Sequence, residues 1–210
     1  MPADLPPLPP PTLGADGRIL EGIVTTLNAD GSVNVSPMGP IVDDALDLLW
    51  LRPFQTSTTY RNLKRTCRGV FHVTDDALLF AQAAVGQPSP PPRFKLTQAG
   101  DELILADACR WYAFEIESLD DAAERTSIVA RVTDRGMQRE FLGFNRAKHA
   151  VLEAAILATR LHLLGAHEVL AEFDRLQVAV DKTGAAAEQQ AMAFLRSHVA
   201  RVASQAGQQQ

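Results

Sequence analysis

Positive charge and hydroxyl groups are concentrated between Leu48 and Thr74, a segment without an acidic residue. Its cations are Arg52, Arg61, Lys64, Arg65 and Arg68, and residues 56–59 all carry hydroxyl groups. A helix that begins at these hydroxyls would offer unpaired N–H groups and partial positive charge to an anion. With guanidinium groups nearby, this composition predicts a phosphate site. The alternative is an ordinary Ser/Thr cap on a solvated basic helix. Taken alone, the segment favours this alternative over a phosphate site.

A second polar pattern lies earlier, in a predicted strand over residues 32–38. Asn34 and Ser36 fall on one face of this strand, because side chains alternate with a period of two. An amide and a hydroxyl at this spacing can bind the edge of a flat heterocycle. The solvent face of a surface hairpin explains the same pattern equally well.

Other chemical motifs are absent. His162 and His167 are five residues apart, about 140° around a helix, so they do not form a metal pair. Neither H-E-x-x-H, G-x-S-x-G, a P-loop nor G-x-G-x-x-G occurs. His72 is interpreted as a core or pocket residue, and Cys67 and Cys109 as structural thiols. We therefore expect no metal, and the sequence identifies no catalytic residue.

The elements around these segments predict an antiparallel barrel. Residues 20–28 and 32–38 form a hairpin around a turn in which Gly31 takes positive φ. Further strands are expected over residues 45–51, 67–74, 102–106, 109–118 and 126–136. A helix follows residues 56–59, and another spans 76–85 after Asp75 as its cap. Strands joined mostly by short links favour an antiparallel barrel over a parallel sheet.

From Asn145 the hydrophobic period becomes helical. We expect one helix over 145–164, capped by Asn145 and ended by Gly165. Two further helices have apolar stripes, Val169, Phe173, Leu176 and Val180 in one and Met192, Leu195, Val199 and Val202 in the other. Three amphipathic helices must pack together, on the barrel or on a second subunit.

Composition limits the class of protein. The chain has 210 residues, 46% of them hydrophobic, and a net charge of -5. This charge gives no global attraction to nucleic acid or to anionic membranes. No apolar run is long enough for a membrane helix, and no signal peptide is recognisable, so we expect a cytoplasmic protein. Six prolines in residues 1–13 predict a flexible arm over 1–17, and the Gln-rich residues 205–210 a disordered tail.

The two polar segments together resemble a known superfamily. The motifs are Asn34-x-Ser36-Pro37-Met38-Gly39, residues 53–63 (PFQTSTTYRNL) and residues 70–76 (VFHVTDD). This combination resembles the flavin reductase-like, FMN-binding split-barrel superfamily, and within it an archaeal and bacterial family of unknown function. The narrower resemblance continues through residues 145–147 and 158–161, and covers most of 20–164.

The resemblance implies a fold of mainly β plus α: an antiparallel Greek-key split β-barrel over residues 18–143 with a C-terminal three-helix extension over 144–204. It also implies a homodimer that binds FMN near the subunit interface. In this arrangement the hydroxyl-rich segment holds the phosphate, and the strand from Asn34 to Met38 lies along the isoalloxazine. The cofactor-binding residues implied are Asn34, Ser36, Met38, Thr58, Thr59 and Asn62. Charge alone adds Arg61 and Lys64.

The function implied is that of an FMN-dependent oxidoreductase that accepts electrons from a reduced nicotinamide or a similar donor. Bacterial relatives suggest a pterin-related substrate from one-carbon metabolism. The alternative is a non-catalytic module that binds flavin or another phosphorylated ligand. The fold does not decide between them, because it also carries haem and pyridoxal phosphate in other proteins.

Overall fold

The structure is a computed structural model that describes residues 9–13, 15, 17–96 and 103–207. Most of the predicted arm over 1–17, part of the strand predicted over 102–106 and the last residues of the predicted tail lie outside this range. The chain divides into two compact units. The first contains the residues up to Thr74 and Arg93–Glu140, and the second contains Asp75–Pro92 and the residues from Phe141 onward.

The first unit is built on antiparallel strands. They are β1 (Arg18–Ile19), β2 (Gly22–Leu27), β3 (Val33–Met38), β4 (Ile41–Val42), β5 (Leu48–Leu51), β6 (Arg68–Val73), β7 (Phe94–Leu96), β8 (Leu103–Leu105), β9 (Arg110–Asp120) and β10 (Ser127–Met137). Eight of them form one sheet in the order β1-β4-β5-β10-β9-β6-β2-β3, and β7 pairs with β8. The large sheet curls into a half-barrel. The predicted split-barrel fold is therefore confirmed.

Alternation along the strands builds the core inside this curl. Val24, Leu49, Leu51, Phe71 and Phe114 are fully buried on the inner face. Full burial of such side chains stabilises the fold by about 1.5–3 kcal/mol each relative to exposure. The helix α1 (Thr58–Thr66) contributes Leu63 to the same cluster. The core therefore fixes α1 as well as the sheet.

The outer face of the sheet carries a buried histidine. His72 on β6 has no exposed surface, and its Nδ1 lies 3.2 Å from the carbonyl oxygen of Ile23. The backbone N–H of Leu105 on β8 donates to its Nε2 at 3.0 Å, so the ring is neutral and Nδ1 carries the proton. Burial lowers its pKa to about 3. The interpretation of His72 as a satisfied internal residue is confirmed.

The second unit is helical. It consists of α2 (Ala77–Val85), α3 (Arg146–Ala158), α4 (Leu161–Leu164), α5 (Ala166–Thr183) and α6 (Ala186–Gly207). Three residues of each predicted stripe are buried, Val169, Phe173 and Val180 in α5 and Met192, Leu195 and Val199 in α6, whereas Leu176 and Val202 are half-buried. Inside the unit, Lys148 forms an ion pair with Glu188 at 3.1 Å and donates to the carbonyl oxygen of Asp75 at 2.5 Å.

Among the described residues, no helix has the length and apolar character that a membrane span requires.

Several predicted boundaries are wrong. The strand expected over 45–51 begins only at Leu48, because Leu46 takes positive φ and the Asp43 carboxylate accepts the N–H groups of Asp47 and Leu48. Cys67, expected in a strand, is the left-handed C-cap of α1. The short strands β1, β4 and β7 were not predicted, because stretches of two or three residues carry no period.

The helical predictions also need corrections. The helix expected over 145–164 stops at Ala158, and the separate short helix α4 follows, because the backbone leaves helical geometry at Arg160 (φ -106°, ψ 17°). Asn145 does cap α3, as expected. The cap of α2 is Asp76 and not Asp75: the Asp76 carboxylate accepts the Leu79 N–H at 2.9 Å. The described part of α6 extends to Gly207.

Candidate functional site

The first turn of α1 presents free donors. Ser57 is its N-cap, and the Ser57 hydroxyl accepts the N–H of Tyr60 at 3.1 Å. Among the described residues, the backbone N–H groups of Thr58 and Thr59 have no acceptor. No acidic residue lies in this turn. The turn therefore has the donors and the partial charge that bind an anion.

Arg61 adds a full positive charge to this turn. Its guanidinium group donates to the Thr58 hydroxyl at 3.0 Å and to the carbonyl oxygen of Thr56 at 2.7 Å. These two contacts hold an exposed guanidinium beside the Thr58 hydroxyl and leave its remaining N–H groups available. The structure thus brings Thr58 and Arg61 together, as the charge pattern predicted.

Lys64 is engaged elsewhere. Its ammonium group lies 2.7 Å from the Asp121 carboxylate and 3.1 Å from the Tyr60 hydroxyl, which itself donates to Asp121 at 2.5 Å. The hydrogen bond to Asp121 raises the pKa of Lys64, and the same bond lowers the pKa of Asp121. The Lys64 charge is therefore paired with Asp121, whereas Arg61 forms no ion pair with a carboxylate in the described part of the chain.

A buried polar network joins α1 to the hairpin. The Asn34 side-chain amide donates to the Thr59 hydroxyl at 3.1 Å and to the Thr26 hydroxyl at 3.3 Å. The Asn62 amide donates to Thr26 at 3.0 Å and to the Asn28 side-chain oxygen at 2.7 Å. Only 1% of Thr59 and 3% of Asn34 are exposed. These side chains contact one another and fix the position of α1 against β2 and β3.

Sequence reasoning missed Thr26 and Asn28 as members of this network. A signal for Thr26 exists in the hairpin register, in which Thr26 is the cross-strand partner of Asn34. Residues directly opposite each other on one face are close enough to share a hydrogen bond. The predicted turn at Gly31, observed with φ 81°, would have placed the two residues in this register.

Ser36 and Met38 lie on β3, which is the last strand of the large sheet and pairs only with β2 within it. Both side chains are half-buried, and Met38 packs against the core cluster. An edge strand leaves backbone N–H and C=O groups on its outer side. A planar polar ligand can form hydrogen bonds with such an edge.

One pocket of the first unit adjoins the buried polar network through Thr26 but lies away from the first turn of α1. It encloses about 350 Å³, including its open mouth, and is mostly apolar. Its lining residues are Thr25, Thr26, Leu27, Val33, Thr66, Arg68, Gly69, Val70 and Leu103. The lining contains no predicted cofactor-binding residue and includes the C-terminal residue of α1 instead of its first turn. The donor groups, and not this pocket, therefore define the candidate site.

Within the described ranges, no cluster of three metal-binding side chains occurs.

Comparison with known families gave two matches along the chain. The family model described as "Protein of unknown function (DUF447) N-terminal domain" matches residues 20–139, and the model described as "Protein of unknown function (DUF447)" matches residues 145–197. The search of curated proteins found no match.

Solved structures show similar folds. The FMN-bound protein MM1853 from Methanosarcina mazei is 26% identical, with a TM-score of 0.72 over 86% of this chain and 94% of that protein. The styrene monooxygenase flavin reductase from Pseudomonas putida S12 is 20% identical, with a TM-score of 0.47 over 56% of this chain and 77% of that one. An FMN-binding protein from Thermus thermophilus is 17% identical, with a TM-score of 0.47 over 68% and 83%.

Proposed function

The chain belongs to the DUF447 family, and from this membership and the geometry of the site we propose that it binds FMN. The phosphate lies at the first turn of α1 and the isoalloxazine along the edge strand β3. The observation that carries this proposal is the hydrogen bond between Asn34 and Thr59, which holds these two surfaces side by side. The 26% identical family member from Methanosarcina mazei is FMN-bound, which supports the same cofactor here.

The donors at α1 fit a phosphate monoester. The N–H groups of Thr58 and Thr59 point from a helix N-terminus, the hydroxyls of Ser57 and Thr58 can each donate, and Arg61 supplies a full charge. Hydrogen bonds from charged donors contribute about 1.5–3 kcal/mol, roughly twice the neutral value. The phosphate thus distinguishes FMN from riboflavin at this site. Thr59 contributes its backbone N–H, because its hydroxyl is held by Asn34.

The edge of β3 fits the heterocycle. Its outer backbone groups can bind the polar edge of the ring, and Met38 offers a polarizable apolar contact. Bound flavin supplies the redox chemistry itself. The roles of the protein are to hold the phosphate and to orient the ring. Asn34, Asn62 and Thr26 do this indirectly, since their buried network sets the distance between α1 and β3.

We propose further that the protein is an FMN-dependent oxidoreductase which acts as a homodimer, with a reduced nicotinamide or a similar compound as the electron donor. The proposed ligand-binding side chains Ser36, Met38, Thr58 and Arg61 include no histidine or carboxylate, the groups that most often act as general acids or bases. Hydride or electron transfer without a protein proton donor is consistent with this set. The same observation supports the second candidate function, a non-catalytic flavin-binding module.

Calorimetry with FMN and riboflavin, together with the visible spectrum of the loaded protein, tests the cofactor. We expect micromolar or tighter affinity for FMN and weaker binding of riboflavin. Lack of FMN binding by the folded protein would overturn the proposal. Anaerobic mixing of the loaded protein with NADH or NADPH tests the activity. Bleaching of the flavin absorbance supports an oxidoreductase, and stable absorbance with either donor supports the binding module.

A further inference from the structure

Arg52 has an unusual environment for an arginine. It follows β5 directly, and its Nε atom is completely buried without a hydrogen-bond partner. Its side chain forms no hydrogen bond or ion pair with any other described residue. Arg52 as a whole is half-buried, but a buried polar atom without a hydrogen-bond partner is costly, and such atoms normally pair with an acceptor or a bound anion. Arg52 is in the acid-free basic segment but was not among the predicted cofactor-binding residues.

A second unpaired arginine lies next to it. The Nε of Arg125 donates to the carbonyl oxygen of Arg52 at 3.2 Å, and its guanidinium group lies 5.5 Å from the centre of the Phe54 ring. Arg125 forms no ion pair with a carboxylate of the described chain. Burial, and then the neighbouring charge of Arg125, lower the pKa of Arg52. The two guanidinium groups thus repel each other without a shared counter-ion.

The segment between Arg52 and α1 is held firmly. The carbonyl oxygen of Pro53 accepts both the N–H and the hydroxyl of Thr126, at 3.0 and 2.8 Å. The side chain of Gln55 donates to two carbonyl oxygens of the loop after β9, at 2.7 and 2.8 Å. The N–H of Ser57 donates to the carbonyl oxygen of Phe54 at 2.9 Å and closes a turn. This fixed connection leads from Arg52 directly into the first turn of α1.

We propose that Arg52 and Arg125 together bind a phosphate group, and that this is the phosphate of FMN. This inference rests on the proposed function. A guanidinium fork binds two phosphate oxygens at once, and a phosphate dianion neutralises two arginines. The bound phosphate would pair the buried Nε and remove the repulsion between the two side chains. Arg52 thereby joins Arg61 as a cation that selects FMN over riboflavin.

The first test is a set of variants in the full chain: Arg52→Gln, Arg52→Lys, Arg125→Gln and the control Arg131→Gln. Arg131 is in the same sheet but is ion-paired with Glu117. Affinities for FMN and riboflavin are measured by calorimetry. Loss of one charge-assisted contact should weaken FMN binding by Arg52→Gln about 10- to 100-fold and leave riboflavin unchanged. Arg52→Lys keeps the charge but loses the fork, so an intermediate loss is expected. The control should bind both as the parent does.

The second test is the melting temperature without ligand. Because the buried Nε of Arg52 has no acceptor and its charge lies near that of Arg125, Arg52→Gln should melt at the same temperature as the parent protein or higher. Inorganic phosphate should stabilise the parent more than this variant. A lower melting temperature of Arg52→Gln with an unchanged FMN-to-riboflavin affinity ratio would indicate a structural arginine and overturn the inference. If Arg52→Gln does not fold, the affinity ratio of Arg52→Lys decides instead, and an unchanged ratio overturns the inference.

The outcomes separate the two proposals. If the parent binds FMN and Arg52→Gln keeps the FMN-to-riboflavin ratio, the inference fails and the proposed function stands. If the parent does not bind FMN, the proposed function fails. The FMN assignment then fails with it, and stabilisation by phosphate that depends on Arg52 would show that the two arginines bind the phosphate of another compound.

Discussion

The side-chain amide of Asn34 and the hydroxyl of Thr59, 25 positions apart in the chain, form a hydrogen bond of 3.1 Å inside the first unit. Asn34 belongs to the strand that resembles a flavin-binding strand, and Thr59 to the segment that resembles a phosphate-binding one. The contact converts two separate sequence patterns into one surface. Because both side chains are buried, it acts on the site by positioning it.

Thr59 should therefore affect stability more than selectivity. Thr59→Val keeps the shape but removes the acceptor of the 3.1 Å hydrogen bond from the Asn34 amide, whose bond to Thr26 is longer at 3.3 Å. We expect a loss of about 1–2 kcal/mol in the free energy of unfolding, measured with urea, and little change in the FMN-to-riboflavin ratio. Thr59→Ser is the matched control and should behave as the parent. A stable variant that has lost its preference for FMN would instead place the Thr59 hydroxyl on the phosphate.

Thr26 should be the more sensitive position. Its hydroxyl accepts the amides of both Asn34 and Asn62, so Thr26→Val leaves two buried donors without this acceptor. An unsatisfied buried donor costs about 1–3 kcal/mol. We therefore expect Thr26→Val to lower the free energy of unfolding, measured with urea, by more than Thr59→Val does. Thr26→Ser retains the hydroxyl and serves as the control. Equal stability of Thr26→Val and Thr26→Ser would show that the network does not depend on Thr26.

Arg61 and Lys64 should differ in their effects on cofactor binding. The Arg61 guanidinium lies beside the Thr58 hydroxyl, whereas Lys64 is paired with Asp121. Arg61→Gln should weaken the affinity for FMN by about tenfold or more and leave the affinity for riboflavin unchanged. Thr58→Ala should have the same effect to a smaller extent. Lys64→Gln should leave both affinities unchanged. Calorimetry with the two ligands measures this, and an FMN-specific loss in Lys64→Gln would contradict the assignment.

His72 should make folding sensitive to acid. Its pKa is about 3 in the folded protein and near 6.5 in an unfolded chain, so the unfolded state binds the proton first as pH falls. The contribution of His72 to the free energy of unfolding is therefore fully present above about pH 6.5 and is lost as the pH falls towards about 3. The loss is about 2 kcal/mol between pH 6.5 and pH 5.

Urea unfolding at pH 7 and pH 5 measures this loss of stability. His72→Gln keeps a donor for Ile23 and an acceptor for Leu105, and should reduce the difference between the two pH values. His162 is exposed in the helical unit, so His162→Gln is the matched control and should leave the difference between the two pH values unchanged. An undiminished difference in His72→Gln would assign the acid sensitivity to other groups.

The helical unit should be required for solubility. Phe80 and Ala81 of α2 are buried in a unit that also contains α3 and α6, so truncation after Phe144 uncovers them. We expect insoluble protein, measured by the soluble fraction after expression. A soluble truncation that binds FMN would show that the barrel folds alone.

We also expect the full chain to be a homodimer. In the second unit, 95% of Phe144 and 81% of Leu142 are exposed, which is unusual for large apolar side chains. Light scattering at micromolar concentration measures the mass. A monodisperse monomer would contradict the expectation.

Local sequence patterns determined the elements that carry the site. β-branched and apolar residues before a turn at Gly31 predicted the hairpin of β2 and β3, and partial alternation predicted β9. The hydroxyl run predicted the start of α1, and helical stripes predicted Phe173 and Leu195 as buried residues. These features depend on neighbours within a few positions, and such neighbours are visible in the chain itself.

Only the tertiary structure decided which polar groups are free. Lys64 and Arg61 look equivalent in the sequence, but the distant Asp121 is placed beside Lys64 alone. Thr58 and Thr59 are adjacent, yet the Thr59 hydroxyl is consumed by Asn34. Among the described residues the Arg52 side chain has no hydrogen-bond partner, because the fold places Arg125 and no carboxylate next to it. Each outcome depends on residues that are far apart in the chain, and local propensity carries no information about them.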